Sequence, residues 1–191
     1  LFVIAFFVKE EPRPTDVDSN SKIKLSINEF DGNFKRFLVV IALFTLSNST
    51  DAFLLLRAEQ SGVAVAVLPL LWMALHFSKV VFSLIGGDLS DKFGRKTLCV
   101  SGGVIYAFVY AGFAFVTESW QALALFIIYG AYFGLTEGVE KAFVADLVGA
   151  PEKRGTAVGF YNLAFSITVF PASLIFGALW TYLGAQYAFL I

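Results

Sequence analysis

The sequence contains one cysteine and one histidine, so it can form no disulfide within the chain and cannot assemble the Cys/His ligand sets of zinc sites. Charge is scarce too. Only 15% of residues are Asp, Glu, Lys or Arg, against about 25% in an ordinary soluble domain, which argues against a water-soluble fold. Basic stretches interleaved with aromatics are missing, and the net charge of −1 offers nothing to nucleic acid. There is no His-Glu-x-x-His, no serine in a glycine elbow and no phosphate loop. Gly102-Gly103 lies inside an apolar run and cannot serve as a nucleotide fingerprint. Neither an enzyme nor a bound cofactor or metal is expected, and an ATP-driven pump has no support. Cys99, at the start of an apolar run, reads as a packing residue.

What the chain has in abundance is apolar length. Hydrophobic residues make up 58% of it, with 22 phenylalanines, and they gather into runs at 37–57, 62–85, 98–116, 120–146 and 156–183. A helix of about 20 residues crosses a bilayer core of ~30 Å, so each run is long enough to span. An all-α, multi-pass integral membrane protein is expected. Of the 14 Lys and Arg residues, eleven fall in the segments 9–36, 86–97 and 147–155, on alternate sides of successive spans. The turns around 58–61, 117–119 and 184 hold none, although Arg57 borders the first. By the positive-inside bias the basic segments are cytoplasmic.

Both ends of the chain are short apolar runs. Leu1–Val8 and 185–191 read as stumps of two further helices, which makes the chain a fragment of a longer polypeptide. The first stump lacks the basic lead and cleavage site of a signal peptide. Segment 9–36 carries Pro12, Pro14, Asp16, Asp18 and six basic residues and reads as a solvated cytoplasmic linker. Within it, the weak alternation from Ile23 to Ile27 stays unassigned.

The segment between the second and third spans runs Gly86-Gly87-Asp88-Leu89-Ser90-Asp91-Lys92-Phe93-Gly94-Arg95-Lys96. It reads as a charged hairpin loop. Gly87 is expected to let two helix ends approach, Phe93-Gly94 to supply the turn, and Asp91 to bond Arg95 across it. The spacing Gly-x-x-x-Asp-Lys-x-Gly-Arg-Lys resembles the cytoplasmic-loop signature of the major facilitator superfamily of secondary transporters, and of a prokaryotic, uncharacterised-type branch within it. That resemblance implies a six-helix half bundle from a twelve-helix transporter. On it, residues 1–8 end the sixth helix, 9–36 connect the two halves, and 37–191 form the C-terminal half up to the start of the last span.

The segment after the fourth span carries a weaker echo, with Asp146, Pro151, Arg154 and Gly155 in sequence. The resemblance implies a cytoplasmic latch made by Asp91, Arg95 and Asp146, with Gly87 and Gly94 shaping its loop and Arg154 nearby. The plainer alternative is that these charges are solvated and only set topology.

Small residues give the packing. Gly130, Gly134 and Gly138 repeat every fourth residue and form one ridge, and Gly155 and Gly159 are read the same way, since helices in lipid associate through close backbone contact. Pro171 should kink the last full span.

Ionisable groups inside the spans are costly and therefore point to function. Asp51 ends the polar run Thr45-Leu46-Ser47-Asn48-Ser49-Thr50, which is expected to loosen the helix, and Asn48 joins Asp51 as a candidate substrate or coupling residue. Asp51 reads equally as a substrate or coupling group and as an interfacial acid paired with Arg57. His76 and Lys79 lie on neighbouring faces of the second span; His76 is either a packed side chain or part of a proton relay. Glu137 and Lys141 form an i, i+4 pair, and Glu140 or Asp146 is expected to reach Lys79 or the headgroups. One of Asp51, His76, Glu137 and Glu140 would carry protons if transport is proton-coupled.

Together these features suggest a secondary transporter of a small solute, proton-coupled and working by alternating access. A channel or non-transporting scaffold explains only the spans, and an intramembrane enzyme lacks a catalytic set. The implied partners are membrane lipid, the solute, protons and the missing N-terminal half, with no nucleic acid. The implied location is a bacterial or archaeal inner (plasma) membrane.

Overall fold

The computed structural model describes residues 26–48 and 50–191. The expected stump at 1–8 and the first part of the linker, 9–25, lie outside the described residues. Among the described residues there are seven α-helices: α1 Gly32–Leu46, α2 Asp51–Gln60, α3 Leu68–Phe93, α4 Arg95–Phe115, α5 Ser119–Val148, α6 Arg154–Leu183 and α7 Ala185–Leu190. Single 3-10 turns at Ile27–Glu29, Val65–Val67 and Pro151–Lys153 lead into them. By length and composition five segments among the described residues can cross a membrane: Gly32–Gln60, Val65–Phe93, Arg95–Phe115, Ser119–Val148 and Pro151–Leu183. The architecture is an all-α membrane half bundle.

Helix boundaries follow from local chemistry. Asp31 caps α1 by accepting from the Asn33 amide at 3.4 Å, and Thr50 caps α2 by accepting from Ala52 at 3.4 Å. At α5 the Glu118 and Gln121 side chains form a reciprocal capping box. Pro69 sits in the first turn of α3, where its missing N–H is not needed.

The charged loop expected at 86–97 is nearly all helix. Only Gly94 separates α3 from α4, at φ +85°, a conformation that L side chains resist. A single left-handed glycine reverses the chain without a loop, so Gly86 through Phe93 stay helical and simply carry the charges beyond the apolar run. Gly87 does not let the helix ends approach, because a Cβ there would meet nothing within 4 Å. The close approach belongs to its neighbour Gly86, whose Cβ would lie 2.9 Å from the Gly134 carbonyl.

The linker reading also fails at its end. Phe30 is 8% exposed and Phe34 is fully buried, in a cluster with Leu38, Ile41, Val144 and Tyr161. Phe34, Leu38 and Ile41 form one helical stripe that reaches back into the supposed linker, and Phe30, on extended backbone just before the helix, packs against it. Glu29 adds an ion pair to Lys153 at 3.5 Å, so this segment is fastened to the start of α6.

α5 is the centre of the bundle. Half of its most apolar window is buried, against 17% for the α3 and α6 spans. It packs along α3, α4 and α6, while α1 lies mainly on α6 and α7 lies on α4 and α6. The α3–α5 contact is a backbone contact. A Cβ on Gly134 would lie 2.6 Å from the Lys79 carbonyl, and one on Gly130 would collide with the Leu75 carbonyl. Ser78 reinforces the seam by donating to the Ile127 carbonyl at 2.7 Å. Gly138, Gly155 and Gly159 have open space where their Cβ would be, so the packing expected of them has no counterpart among the described residues. α6 is helical on both sides of Pro171, without a break.

Candidate functional site

The first span breaks where its polar run predicts. Helix α1 stops at Leu46, α2 starts at Asp51, and the interruption leaves backbone and side-chain polar groups facing the bundle interior. Three tyrosine hydroxyls secure them. Tyr106 donates to the Ser47 carbonyl at 3.2 Å, Tyr110 to Asn48 Oδ1 at 2.7 Å, and Tyr129 to Asp51 Oδ1 at 3.0 Å. Tyr106 and Tyr110 lie one turn apart on α4 and their rings stack at 4.3 Å. Asp51 thus binds a phenol on α5 and not Arg57. Arg57 turns outward and donates to the carbonyls of Phe113, Ala114 and Val116 at 2.9 to 3.1 Å, capping the end of α4.

Toward the basic end of the bundle lies a second polar layer. Glu137 on α5 meets Lys79 on α3 at 2.5 Å and Lys141, one turn away, at 3.4 Å. The Lys79 ammonium also stands 5.1 Å from the Phe133 ring centroid. Glu140 does not reach Lys79; its Oε2 accepts from Tyr161 of α6 at 2.5 Å. Asp146 reaches neither Lys79 nor open solvent alone, because Arg95 binds it at 2.5 Å while also donating to the Ala142 carbonyl at 3.0 Å. His76 is exposed and its Nδ1 lies 2.9 Å from the Trp72 carbonyl.

Between the layers is a cavity of about 410 Å³, the size of sites that take small organic molecules. Asn48, Asp51, Lys79, Glu137, Glu140 and Lys141 all reach its wall. It therefore unites four of the five sequence-predicted binding candidates and leaves out His76. Of the latch residues, the fold joins Arg95 to Asp146 only. Asp91 and Arg154 are exposed and, among the described residues, make no ion pair.

Sequence reasoning missed the tyrosines and Asn162, which also lines the cavity. A signal existed. Tyr106, Tyr110, Tyr129 and Tyr132 sit well inside apolar runs, and a buried phenol needs an acceptor.

Residues 36–191 match the family model described as Major Facilitator Superfamily. The chain belongs to this superfamily. It is a multi-pass integral protein of a prokaryotic membrane. The chain is 36% identical over 183 residues to an uncharacterized MFS-type transporter of Methanocaldococcus jannaschii, a match covering 92% of the chain and 45% of that protein. It is 31% identical over 129 residues to a Na(+), Li(+), K(+)/H(+) antiporter of Planococcus maritimus, covering 63% of the chain and 29% of the antiporter. A multi-drug resistance efflux pump of Streptococcus pneumoniae is 33% identical over 82 residues, 43% of the chain and 20% of the pump. The chain thus spans less than half the length of these relatives. No solved structure matches it significantly.

Proposed function

We propose that this chain is the C-terminal half of a secondary active transporter that moves a small solute by alternating access and is coupled to protons. The observation that carries the reading is the cavity itself. Five ionisable side chains converge, beside a broken helix, on a space lined by segments long and apolar enough to span a membrane. Charges are kept inside a membrane when they handle a solute or an ion. Interrupted helices supply the backbone dipoles that such sites use. The superfamily match and the transporter names of the relatives point the same way.

On this reading the N-terminal half of the same polypeptide closes the other side of the cavity, and residues 26–36 are the end of the connector between halves. The Arg95–Asp146 pair serves as the cytoplasmic latch, without Asp91 in the conformation described. Asp51 and Glu140 are the proton carriers that the geometry favours. Glu137 is held by two lysines, and His76 lies off the cavity.

The test is reconstitution of the full-length polypeptide in proteoliposomes. A solute panel should accumulate under an imposed pH gradient and exchange without one. Gradient-independent, unsaturable flux would instead identify a channel, and no flux at all a scaffold.

A further inference from the structure

The chain that leads into α1 is held more firmly than entry into a membrane requires. Asp31 already caps α1, so the residues before it could stay in water. Instead the 3-10 turn Ile27–Glu29 delivers Phe30 on extended backbone, with its ring 8% exposed. That ring lies 4.8 Å from Phe34, in the first turn of α1, and 5.7 Å from Phe160 of α6, edge-on. The contact with Phe34 alone would be a local staple that fixes the entry angle of α1. The contact with Phe160 goes further, since it joins the end of the connector to a helix far along the chain. Glu29 repeats the link, with its Oε2 3.5 Å from the Lys153 ammonium in the turn before α6.

The same cluster reaches the other side of that turn. Val144 of α5 is fully buried in it, and Leu147 and Val148, the last residues of α5, pack against it. One short segment therefore grips the end of α5, the turn at 149–153 and the start of α6. Asp146 sits within the gripped stretch of α5 and binds Arg95 of α4. Whatever holds Leu147 and Val148 also holds Asp146 within reach of Arg95. The two grips differ in strength. The Glu29 and Lys153 side chains are each 40% exposed, and an ion pair so open to water contributes little. The buried ring supplies the hold, and the ion pair sets its register.

We propose that residues 26–34 are a clip laid over the α5–α6 turn, and that seating Phe30 against Phe34 and Phe160 keeps the basic end of the bundle closed. With Phe30 seated, the turn is fixed and Arg95 and Asp146 stay paired. With Phe30 withdrawn, the ends of α5 and α6 are free to part from α1 and α4. A displacement of the residues before the clip thus acts on this end without passing through the cavity. The clip goes beyond the transporter reading and does not depend on which solute moves.

Hydrogen–deuterium exchange of the full-length protein in lipid nanodiscs tests this, with thermal melting as the control for folding. Phe30→Ala should speed amide exchange across 142–150 by about fivefold or more, while the α3–α5 seam around 127–134 keeps its wild-type protection. Phe160→Ala removes the same contact from the α6 side, leaves the cap of α1 intact, and should reproduce the effect. Lys153→Glu should speed exchange by only about twofold, and adding Glu29→Lys to it should restore the wild-type rate. Faster exchange confined to 26–36 would reduce Phe30 to a local staple and overturn the proposal. Wild-type exchange at 142–150 in both aromatic variants would do the same. Should Phe30→Ala fail to fold, the milder Phe30→Leu and Phe160→Ala decide the matter. Solute flux is read separately in proteoliposomes. A protein that moves nothing would sink the transporter reading and leave this exchange pattern standing.

Discussion

Arg57 and Arg95 fasten opposite ends of the bundle, and they do it differently. At the outer end Arg57 donates only to backbone carbonyls, three of them at the C-terminus of α4. At the basic end Arg95 shares its guanidinium between the Ala142 carbonyl and the Asp146 carboxylate, with side chains 32% and 54% exposed. Carbonyls at a helix end have no rotamer by which to leave, and removing their donor strands several polar groups beside lipid. A half-exposed carboxylate can turn to water, and such a pair contributes roughly 0–1 kcal/mol. The outer fastening is thus a staple and the inner one a catch that can be released. In a transporter this asymmetry would let the basic end open while α2 stays on α4.

The comparison assumes that the middle of the bundle is rigid, and Gly134 provides the severest test of it. Gly134→Leu would drive a side chain into the Lys79 backbone, 2.6 Å from where its Cβ would stand, and no rotamer relieves a backbone clash. The substitution should prevent α3 and α5 from packing and abolish a folded, monodisperse protein. Gly138→Leu, one turn further along the same face where a Cβ would meet nothing within 4 Å, should melt like the wild type. If both variants behave alike in detergent melting, the seam does not depend on Gly134, and the two ends cannot be treated as separate fastenings.

Arg57→Ala comes next in size. It deprives three carbonyls of their donor and should cost about 3 kcal/mol, seen as a lower melting temperature of the full-length protein. Arg57→Lys should restore only part of this, since an ammonium cannot span the three acceptors in the guanidinium's fixed fork. A wild-type melt for Arg57→Ala would remove the staple from the account.

Much of this was readable in the sequence and some could not be. Run lengths alone located the spans, because crossing a bilayer requires about 20 apolar residues. The polar run from Thr45 to Asp51 foretold the helix break. What failed were the inferences that need a third dimension. Charge density suggested a loop at 86–97, yet charged residues stay helical once they clear the apolar zone, and Gly94 alone makes the turn. Of the two adjacent glycines the sequence reading chose Gly87, while Gly86 faces α5; nothing in a pair of glycines says which one points at a neighbour. Spacing found the Glu137–Lys141 pair within α5 but not the closer partner Lys79 on α3. The linker reading overlooked that Phe34 already follows the helical period of Leu38 and Ile41, with Phe30 packed against it.

The inner catch should show little in stability and much in exposure. Asp146→Asn removes its charge pair, so melting should shift by no more than about 1 kcal/mol. In a Cys99→Ser background, a cysteine introduced at the cavity wall by Asn162→Cys serves as a reporter, and its labelling from the basic side should rise, since the restraint on that end is gone. Unchanged labelling with unchanged melting would reduce the Arg95–Asp146 bond to a surface pair without a role in gating.

The smallest effect is expected at Asp91, the residue the sequence motif made most conspicuous. It lies four positions before Arg95, and the spacing suggested a bond between them. Arg95 begins a new helix after the reversal at Gly94, however, and its guanidinium is taken by Asp146 and Ala142. Asp91 is exposed and has no ion-pair partner among the described residues. Asp91→Asn should therefore leave the melting temperature unchanged and, in this conformation, leave reporter labelling at the wild-type level, in contrast with Asp146→Asn. Should Asp91→Asn open the basic end as strongly as Asp146→Asn does, the catch must engage Asp91 in another conformation. The contrast between a fixed outer end and a releasable inner end would then have to include α3.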